Sequence, residues 1–476
     1  MLTDLSFIER GKQWPPDAES ERLTLYAKNR NLFEGKHELV YRDAWNRLLR
    51  EEQSLVVQTV LNWPKRLSTL WADLLLGEPP KITAGECESE EQQACDRIIN
   101  DNDLHNAAYE AVLDTSMLGT GLFKVRYDGR GIIECQPPEL WFPIVEPANI
   151  RNIIAHVIAW TTVPANSHKP GQFIAEIHER GKITRVVHEY ASGRIGRMVE
   201  EPAETLTGVD DFLVVPCHNL RTSNRLVGLD DYTDLDTVIS ELETRIGQIA
   251  RILDKHSDPN MYGPASALEE NPQTGEHTFR GGGKYFPVAE GESPPGYATW
   301  DGQLDAAYRE IELLMEQLYT LSETSAAAFG NLKVGMAESG SALKRLMLAP
   351  LAKTNRIRMR FDPALRKAIQ LCAALEVAQG MPNAVLLDNI SITWQDGLPD
   401  DEMEQTQIMV QRKGAGLVST ESAVRHLDGL EGEELEAELD RIAGEQMQAR
   451  PQAPGMTNLG GIFEGLDLGV TPVEEE

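Results

Sequence analysis

The 476-residue sequence predicts an α+β fold, and two repeating patterns support this fold class. Apolar residues recur at helical spacing over long stretches, above all in residues 229–255, 303–322 and 340–379. From residue 121 to about residue 225 the pattern changes to strand-like alternation interrupted by turn sequences. We therefore expect a small, mostly antiparallel sheet joined to helices.

The N-terminal part, residues 17–76, is predicted to be mostly helical. Its second amphipathic segment contains Pro64, which we expect to kink or break the helix. The Gly-Glu-Pro-Pro sequence of residues 77–80 then ends that segment. Residues 90–118 are expected to form one further helix.

The strand-rich region begins with residues 121–127, whose side chains alternate between two faces. Alternating residues on both sides of residues 179–182 predict a hairpin with its turn at those positions. Ser192 and Gly193 predict the next turn. These signals together indicate consecutive antiparallel strands.

The second half of the chain is predicted to contain a helical hairpin with an insert. Residues 229–255 and 303–322 carry apolar stripes, and residues 258–302 between them are rich in Gly, Pro and Ser. This arrangement indicates two antiparallel helices with a small subdomain at their tip. A Gly- and Ala-rich break at residues 325–335 precedes the long helix of residues 340–379.

The C-terminal part begins with a short predicted strand, because Ile390, Ile392 and Trp394 alternate. Residues 401–448 are acidic and predicted to be helical, with Ser419 or Thr420 as an N-cap. The remaining residues are expected to form a tail.

The net charge of −30 restricts the possible functions. Such a chain repels phosphate, so tight general binding to nucleic acid is not expected, whereas a conduit through which DNA passes without adhering is compatible. The charge is equally compatible with a role in solubility alone. Five cysteines without CxxC spacing argue against disulfides and a zinc site and suit a reducing cytoplasm. We expect no membrane span and no signal peptide.

No motif for a catalytic, metal or cofactor site is evident. Gly281, Gly282, Gly283 and Lys284 resemble part of a phosphate-binding loop, but Tyr285 and the spacing exclude one. We interpret them as a flexible turn.

The histidines and serines do not form catalytic patterns either. His178 and His188 each precede a glutamate but complete no HExxH motif, so we expect both to be solvated strand residues. Ser339 and Ser341 lack the surroundings of a nucleophile and are expected to cap the helix that follows.

A group of basic residues on or near the long helix has two interpretations. Ion pairs, formed between subunits or with the acidic C-terminal part, are favoured because the surrounding charge is negative. Phosphate contact inside a tunnel is the alternative. The residues are Lys344, Arg345, Lys353, Arg356, Arg358, Arg360, Arg366 and Lys367.

The most informative stretch is the Ser-Gly-Ser-Ala-Leu-Lys sequence of residues 339–344, at the start of the long helical pattern. It resembles the segment that opens the tunnel helix of tailed-phage portal proteins. Further short segments resemble these proteins in the same order over nearly the whole chain, whereas residues 258–302 match no pattern. The resembling segments are residues 26–35, 62–80, 119–124, 137–143, 392–399 and 416–421.

The resemblance implies a portal-protein fold with a wing, a two-helix stem, a small α/β clip, a long tunnel helix and a helical crown. The implied boundaries are 1–228 for the wing, 229–257 and 303–325 for the stem helices, 258–302 for the clip, 326–339 for the tunnel loop, 340–400 for the tunnel helix and wing return strand, and 401–476 for the crown and acidic tail.

The resemblance also implies a function. The family forms closed, usually dodecameric rings at one capsid vertex, through which double-stranded DNA is packaged and ejected with weak contact. The ring nucleates procapsid assembly with capsid and scaffold proteins, docks the large terminase subunit, and later binds head-completion and tail proteins. The expected location is the virion, after assembly in the bacterial host cytoplasm. ATP hydrolysis belongs to the terminase, so we expect no enzyme, cofactor or metal here.

Site residues follow from the same resemblance. Lys333, Ser339, Gly340, Lys344 and Arg345 are the candidates for the DNA tunnel. Residues 281–285, in the implied clip, are the candidates that face the terminase. Two alternatives stay open: a metal-dependent nuclease that uses the Asp and Glu clusters, and another structural head-to-tail joining protein. The length of the chain disfavours the latter.

Overall fold

The chain forms two units in the computed structural model, residues Met1–Leu398 and Pro399–Glu476. None of the described helices is long and apolar enough to cross a bilayer. The structure describes residues 1–43, 45, 59–86, 88–162, 171–257, 304–331, 340–395, 402–430 and 432–449, together with short pieces between 261 and 297.

Helices account for most of the regular structure, as the sequence predicts. Those of the first unit are α1 (Ser20–Phe33), α2 (His37–Val40), α3 (Trp63–Leu76), α4 (Glu90–Asp101), α5 (Leu104–Leu118), α6 (Asp236–Ser257), α7 (Asp305–Ser322), α8 (Gly340–Leu346) and α9 (Leu348–Ala378). Those of the second unit are α10 (Glu402–Gly414), α11 (Thr420–Asp428) and α12 (Gly432–Ala449).

The described strands all pair antiparallel, in agreement with the prediction. They are β1 (Lys81–Thr83), β2 (Thr120–Tyr127), β3 (Gly131–Cys135), β4 (Trp141–Glu146), β5 (Asn149–Thr162), β6 (Gly171–Glu179), β7 (Lys182–Ala191), β8 (Arg194–Leu206), β9 (Val214–His218), β10 (Met261–Tyr262), β11 (Leu268–Glu270), β12 (His277–Phe279), β13 (Gly296–Tyr297) and β14 (Ser391–Thr393).

Two sheets, instead of the one expected, carry most of these strands. One has the order β3-β2-β9 and the other β4-β5-β6-β7-β8. The predicted hairpin is confirmed, because Glu179 pairs with Lys182 across its turn. The turn at Ser192 and Gly193 is also confirmed, and both residues have positive φ there.

Two N-terminal helix boundaries differ from the prediction. Pro64 does not kink a helix but lies in the first turn of α3, where its missing N–H costs nothing, and the Asn62 side chain caps that end. Residues 90–118 form two helices because Asp103 adopts a left-handed φ of 45°. The preceding Asn102 accepts a hydrogen bond from Ile133 N at 2.9 Å and so ties the break to β3.

The first helix of the predicted hairpin, α6, begins at Asp236 and not at residue 229. Leu229 N instead donates to Leu220 O at 2.7 Å. The Asp230 side chain then accepts from the backbone N–H groups of Tyr232 and Thr233. These local bonds compete with a helical turn and delay the start of the helix.

The long helical pattern forms two helices, α8 and α9, separated at Met347. Pro350 lies in the first turn of α9, a position that proline tolerates but that favours a new helix start. The predicted end is confirmed, because Gly380 has a φ of 70° just beyond α9.

The largest core encloses the second half of α9 against α3, α4, α5 and the three-stranded sheet, with Trp71, Phe123 and Phe361 fully buried. A second core lies on the five-stranded sheet, where Phe7 and Trp14 of the N-terminal segment cover Phe142. The folded body therefore surrounds one end of the long helix.

The predicted insert between α6 and α7 is described only in part. Strand β10 pairs with β13, and β11 pairs with β12. The described pieces of residues 258–302 contain strands and turns but no helix, so the α/β character expected for the clip stays a prediction.

The second unit contains three helices in its described part. The expected N-cap of α11 is confirmed, because Ser419 Oγ accepts from Ser422 N at 3.0 Å. The buried apolar residues of its described part are Met409, Ala423, Val424 and Leu435.

Candidate functional site

The predicted tunnel residues are only partly described. Gly340 begins α8, and Lys344 and Arg345 are exposed in its last turn. Lys333 and Ser339 lie outside the described residues. The predicted clip residues Gly281, Gly282, Gly283, Lys284 and Tyr285 also lie outside them.

The segment that leads toward the predicted tunnel loop is not a continuation of α7. Helix α7 ends at Ser322, and Glu323 adopts a left-handed φ of 59°. Ser325 then caps a short 3₁₀ turn over Ala326–Phe329. The ring of Phe329 packs against Trp63 with a centroid distance of 5.2 Å. The first residues of the implied tunnel loop, 326–329, therefore form a turn that is packed on the body.

The first half of α9 buries a lysine in a polar junction. Lys353 is 8% exposed, and its Nζ lies 2.9 Å from Asp231 Oδ1 and 4.4 Å from the centre of the Trp71 ring. The same Nζ donates to Ser322 O, at the end of α7, at 3.4 Å. A single ammonium group thus connects α9 with the end of α7, with α3 and with the loop before α6.

Neutral donors complete the environment of Asp231. Ser116 Oγ donates to its carboxylate at 2.7 Å, and Asn219 Nδ2 donates at 3.0 Å. Ser116 in turn contacts Ser68, whose hydroxyl lies 2.6 Å from Tyr232 OH. Burial raises the pKa of the Tyr232 phenol, so this hydroxyl stays protonated. The carboxylate, amide and hydroxyl groups of the junction therefore satisfy one another, whereas Trp71 Nε1 has no hydrogen-bond partner.

The other basic residues of α9 also form intrachain contacts. Arg356 Nη2 lies 2.6 Å from both carboxylate oxygens of Glu323, and Arg366 pairs with Asp362. Ion pairing was the favoured interpretation of this group, and these contacts support it. The partners described for these residues are carboxylates of the first unit. Ion pairs between subunits stay a prediction.

The second half of α9 buries a carboxylate instead. Glu376 is 1% exposed and accepts from Arg97 at 2.7 and 3.1 Å. Gly131 N donates to the same carboxylate at 3.0 Å. The hydrogen bonds from Arg97 to Glu376 raise the pKa of the guanidinium, which keeps Arg97 charged.

The strand histidines are buried, so the expectation of solvated residues was wrong. His178 is 1% exposed and His188 is 6% exposed, because both faces of the five-stranded sheet are covered. Trp141 Nε1 donates to His156 Nδ1 at 3.0 Å. Burial lowers the pKa of His156 and of His218 to about 3, so both rings are neutral near pH 7. Within the described ranges, no cluster of three His, Cys, Asp or Glu residues could hold a metal ion.

Asp114, in α5, has a carboxyl pKa far above the usual value for an aspartate. Burial, followed by the charge of Glu139, raises its pKa to about 7, although Arg30 acts in the opposite direction. Arg30 pairs with Glu139 and lies 3.8 Å from Asp114. The group therefore titrates near neutrality.

The sequence pattern did not identify the junction residues Asp231 and Trp71. A usable signal did exist for Lys353. It lies on the same helical face as Pro350 and Ile357, and a charge on a buried face usually has a buried partner.

Comparison with known proteins identifies one family. The family described as phage portal protein, SPP1 Gp6-like, matches residues 14–452. No curated protein matches the chain.

Solved structures give weaker likenesses. A chain from the neck of a native gene transfer agent particle, computed with C12 symmetry, is 13% identical, with a TM-score of 0.40 over 81% of this chain and 93% of its own length. A chain from the virion of the native particle is 12% identical, with a TM-score of 0.40 over 89% and 96%. A chain from the neck of the empty particle, computed with C6 symmetry, is 14% identical, with a TM-score of 0.42 over 77% and 90%.

Proposed function

Because the chain belongs to the SPP1 Gp6-like family of phage portal proteins, we propose that it is one subunit of a closed, dodecameric ring at one vertex of a phage capsid. DNA passes through the channel of this ring during packaging and ejection. The observation that carries the proposal is the family match over residues 14–452, which includes nearly every described element.

Exposed apolar residues on the helical hairpin support a ring. Helices α6 and α7 pack together, and Arg245 lies 3.0 Å from Glu310 between them. Leu253, Tyr308 and Leu313 nevertheless remain between 48% and 55% exposed. Apolar side chains on long paired helices are stabilised when a neighbouring subunit covers them.

The channel surface is the part of the proposal that involves DNA. The net charge of −30 suits a conduit that DNA passes without tight binding. We assign residues 326–339 to the tunnel loop and Lys333 to its most direct DNA contact. Ser339, Gly340, Lys344 and Arg345 then follow at the start of the tunnel helix.

Partners follow from the same assignment. Residues 258–302 form the clip, with residues 281–285 facing the large terminase subunit. Capsid and scaffold proteins surround the ring during assembly in the host cytoplasm, and head-completion and tail proteins bind it in the finished virion.

The protein itself acts as a structural component. Portal proteins are a structural family, and the terminase supplies ATP hydrolysis. We therefore expect no hydrolysis of ATP or DNA by the purified chain. Magnesium-dependent phosphate release that disappears on a point substitution in this chain would contradict this.

Mass photometry and negative-stain imaging of the purified protein, with and without its scaffold protein, test the ring directly. We expect ring particles with a central hole in at least one condition. A monomer or dimer at micromolar concentration in both conditions would reject the proposal.

A charge reversal tests the channel assignment. Lys333→Glu should leave ring assembly intact but lower DNA packaging or retention, because it places a repelling charge at the constriction. Lys12→Glu, at an exposed N-terminal position, is the matched control. Wild-type packaging and retention by Lys333→Glu particles would remove the DNA role of the loop.

A further inference from the structure

The first half of α9 carries an exposed apolar stripe. Leu348 is 71% exposed and Met359 is 76% exposed, and Ala349, Ala352 and Pro363 are exposed between and beyond them. At about 100° per residue these positions fall on one face of the helix. At about 1.5 Å per residue the stripe is about 22 Å long. We call it the α9 stripe.

The α9 stripe is poorly suited to contact DNA. Phosphate oxygens are bound by cations and polar donors, whereas this face presents mainly Leu, Ala, Met and Pro, with Asn355 and Arg356 as its exposed polar residues. The cations of the same helix are engaged elsewhere: Lys353 contacts Asp231, and Arg356 contacts Glu323. Another protein surface is the better match for the α9 stripe.

Helix α7 presents a surface with complementary features. Tyr308 is 48% exposed and Leu313 is 55% exposed. The exposed charged residues around them are mainly acidic, namely Asp305, Glu312 and Glu316, with Arg309 as the basic one. The exposed last turn of α8, at the beginning of the α9 stripe, is basic, with Lys344 and Arg345.

These two surfaces differ from each other and belong to the same chain. A contact between unlike surfaces of identical copies is heterologous, and repeated heterologous contacts close into rings. Opposite charges at the edge of such a contact favour the correct register. The two surfaces therefore point to a second copy of this chain as the occupant of the α9 stripe.

We propose that the α9 stripe of one copy packs on the exposed surface of α7 in the next copy, with Arg345 opposite Glu316. This inference rests on the proposed ring and specifies which surfaces form it. It assigns Arg345 to the subunit contact, so Lys333 and Lys344 remain as the DNA candidates.

Met359→Asp is the first test, with Leu206→Asp as its control, since both native side chains are 76% exposed. A buried aspartate at the contact should weaken ring assembly at least about tenfold in subunit concentration, a change worth about 1.4 kcal/mol. The control should assemble like the wild type. The thermal melting of both monomers should stay unchanged, because neither residue is in the core.

If Met359→Asp forms rings at the same subunit concentration as the wild type, the inference is overturned and the proposed function stays intact. A wild type that forms no ring with or without scaffold would instead overturn the proposed function, and with it this contact.

Charge reversal tests the partner surface. Glu316→Lys and Arg345→Glu should each weaken assembly, and the double variant should restore it. An equimolar mixture of the two single variants should also form rings, because alternating copies then carry opposite charges at every contact. Glu78→Lys, at an exposed position outside both surfaces, is the control. Failure of both the double variant and the mixture to recover would exclude α7 as the surface that receives the α9 stripe.

Discussion

The two halves of α9 belong to one helix but face different surroundings. From Phe361 to Glu376 the helix lies inside the largest core, and its buried carboxylate is paired with Arg97. From Leu348 to Met359 one face is tied to the body through Lys353, while the opposite face remains exposed. Folding alone therefore covers the apolar residues of the second half, whereas the first half has an apolar surface left for assembly.

The strongest test of this contrast removes a core ring. Phe361 is fully buried, so Phe361→Ala should lower the free energy of unfolding of the monomer by about 3–5 kcal/mol through lost burial and the resulting cavity. Urea unfolding followed by tryptophan fluorescence measures this. A loss below about 1 kcal/mol would mean that the second half of α9 is not a core helix.

The buried carboxylate gives the next largest effect. Glu376→Ala should cost about 3 kcal/mol, since it leaves Arg97 and the Gly131 N–H without their acceptor. Glu376→Gln keeps an oxygen for Gly131 and should cost about half as much. Equal unfolding free energies for the two variants would show that the acceptor oxygen is unimportant there.

Substitution of Lys353, in the first half of α9, should lower the free energy of unfolding by a smaller amount. Lys353→Met keeps the long side chain, and Asp231 keeps its donors Ser116 and Asn219, so we expect a loss of about 2 kcal/mol. If Lys353 also holds α9 against the end of α7, hydrogen exchange should increase near Ser322 in this variant. Unchanged exchange there would limit the role of Lys353 to its contact with Asp231.

The stability of the folded body should also depend on pH. The raised pKa of Asp114 means that the folded state binds the extra proton, so its contribution to stability decreases as pH rises through about 7, by about 1 kcal/mol between pH 6 and pH 8. His156 and His218 have lowered pKa values, so their contribution is lost as pH falls below about 6.5 toward 3.

Asp114→Asn separates the two effects. In this variant the free energy of unfolding should no longer decline above pH 6 but should still decrease on acidification. Urea unfolding at each pH measures this. An unchanged decline between pH 6 and pH 8 would show that another group is responsible for it.

The smallest expected effect is at the α9 stripe. Met359→Ala should change the stability of the monomer by less than about 0.5 kcal/mol, since the side chain is 76% exposed. Met359 lies two residues before Phe361 on the same helix. A loss comparable to that of Phe361→Ala would abolish the contrast between the two halves.

Much of the secondary structure could be predicted because it depends on neighbouring residues. The hairpin at Glu179 and Lys182, the N-cap at Ser419 and the stop at Gly380 were all predicted correctly. The errors at Pro64 and Asp103 concern boundaries, where a cap or a left-handed residue outweighs apolar periodicity.

The candidate site was less predictable. The basic group after residue 340 and its tendency to form ion pairs could be seen in the sequence. Its partners could not, because Lys353 and Asp231 are far apart along the chain and meet only through the packing of several elements. The burial of His178 and His188 was missed for a similar reason, since alternation does not indicate that both faces of a sheet are covered.

The sequence by itself determined the order of the elements, the absence of familiar catalytic motifs, and the resemblance to portal proteins that the family match confirms. These features depend on local patterns and short motifs, which are readable along one chain. Only the tertiary structure decided which apolar faces are covered by the fold and which charges are paired within it. Periodicity records that a helix has an apolar face, but the surface that covers it is set by distant residues, as Phe361 and Met359 show on a single helix.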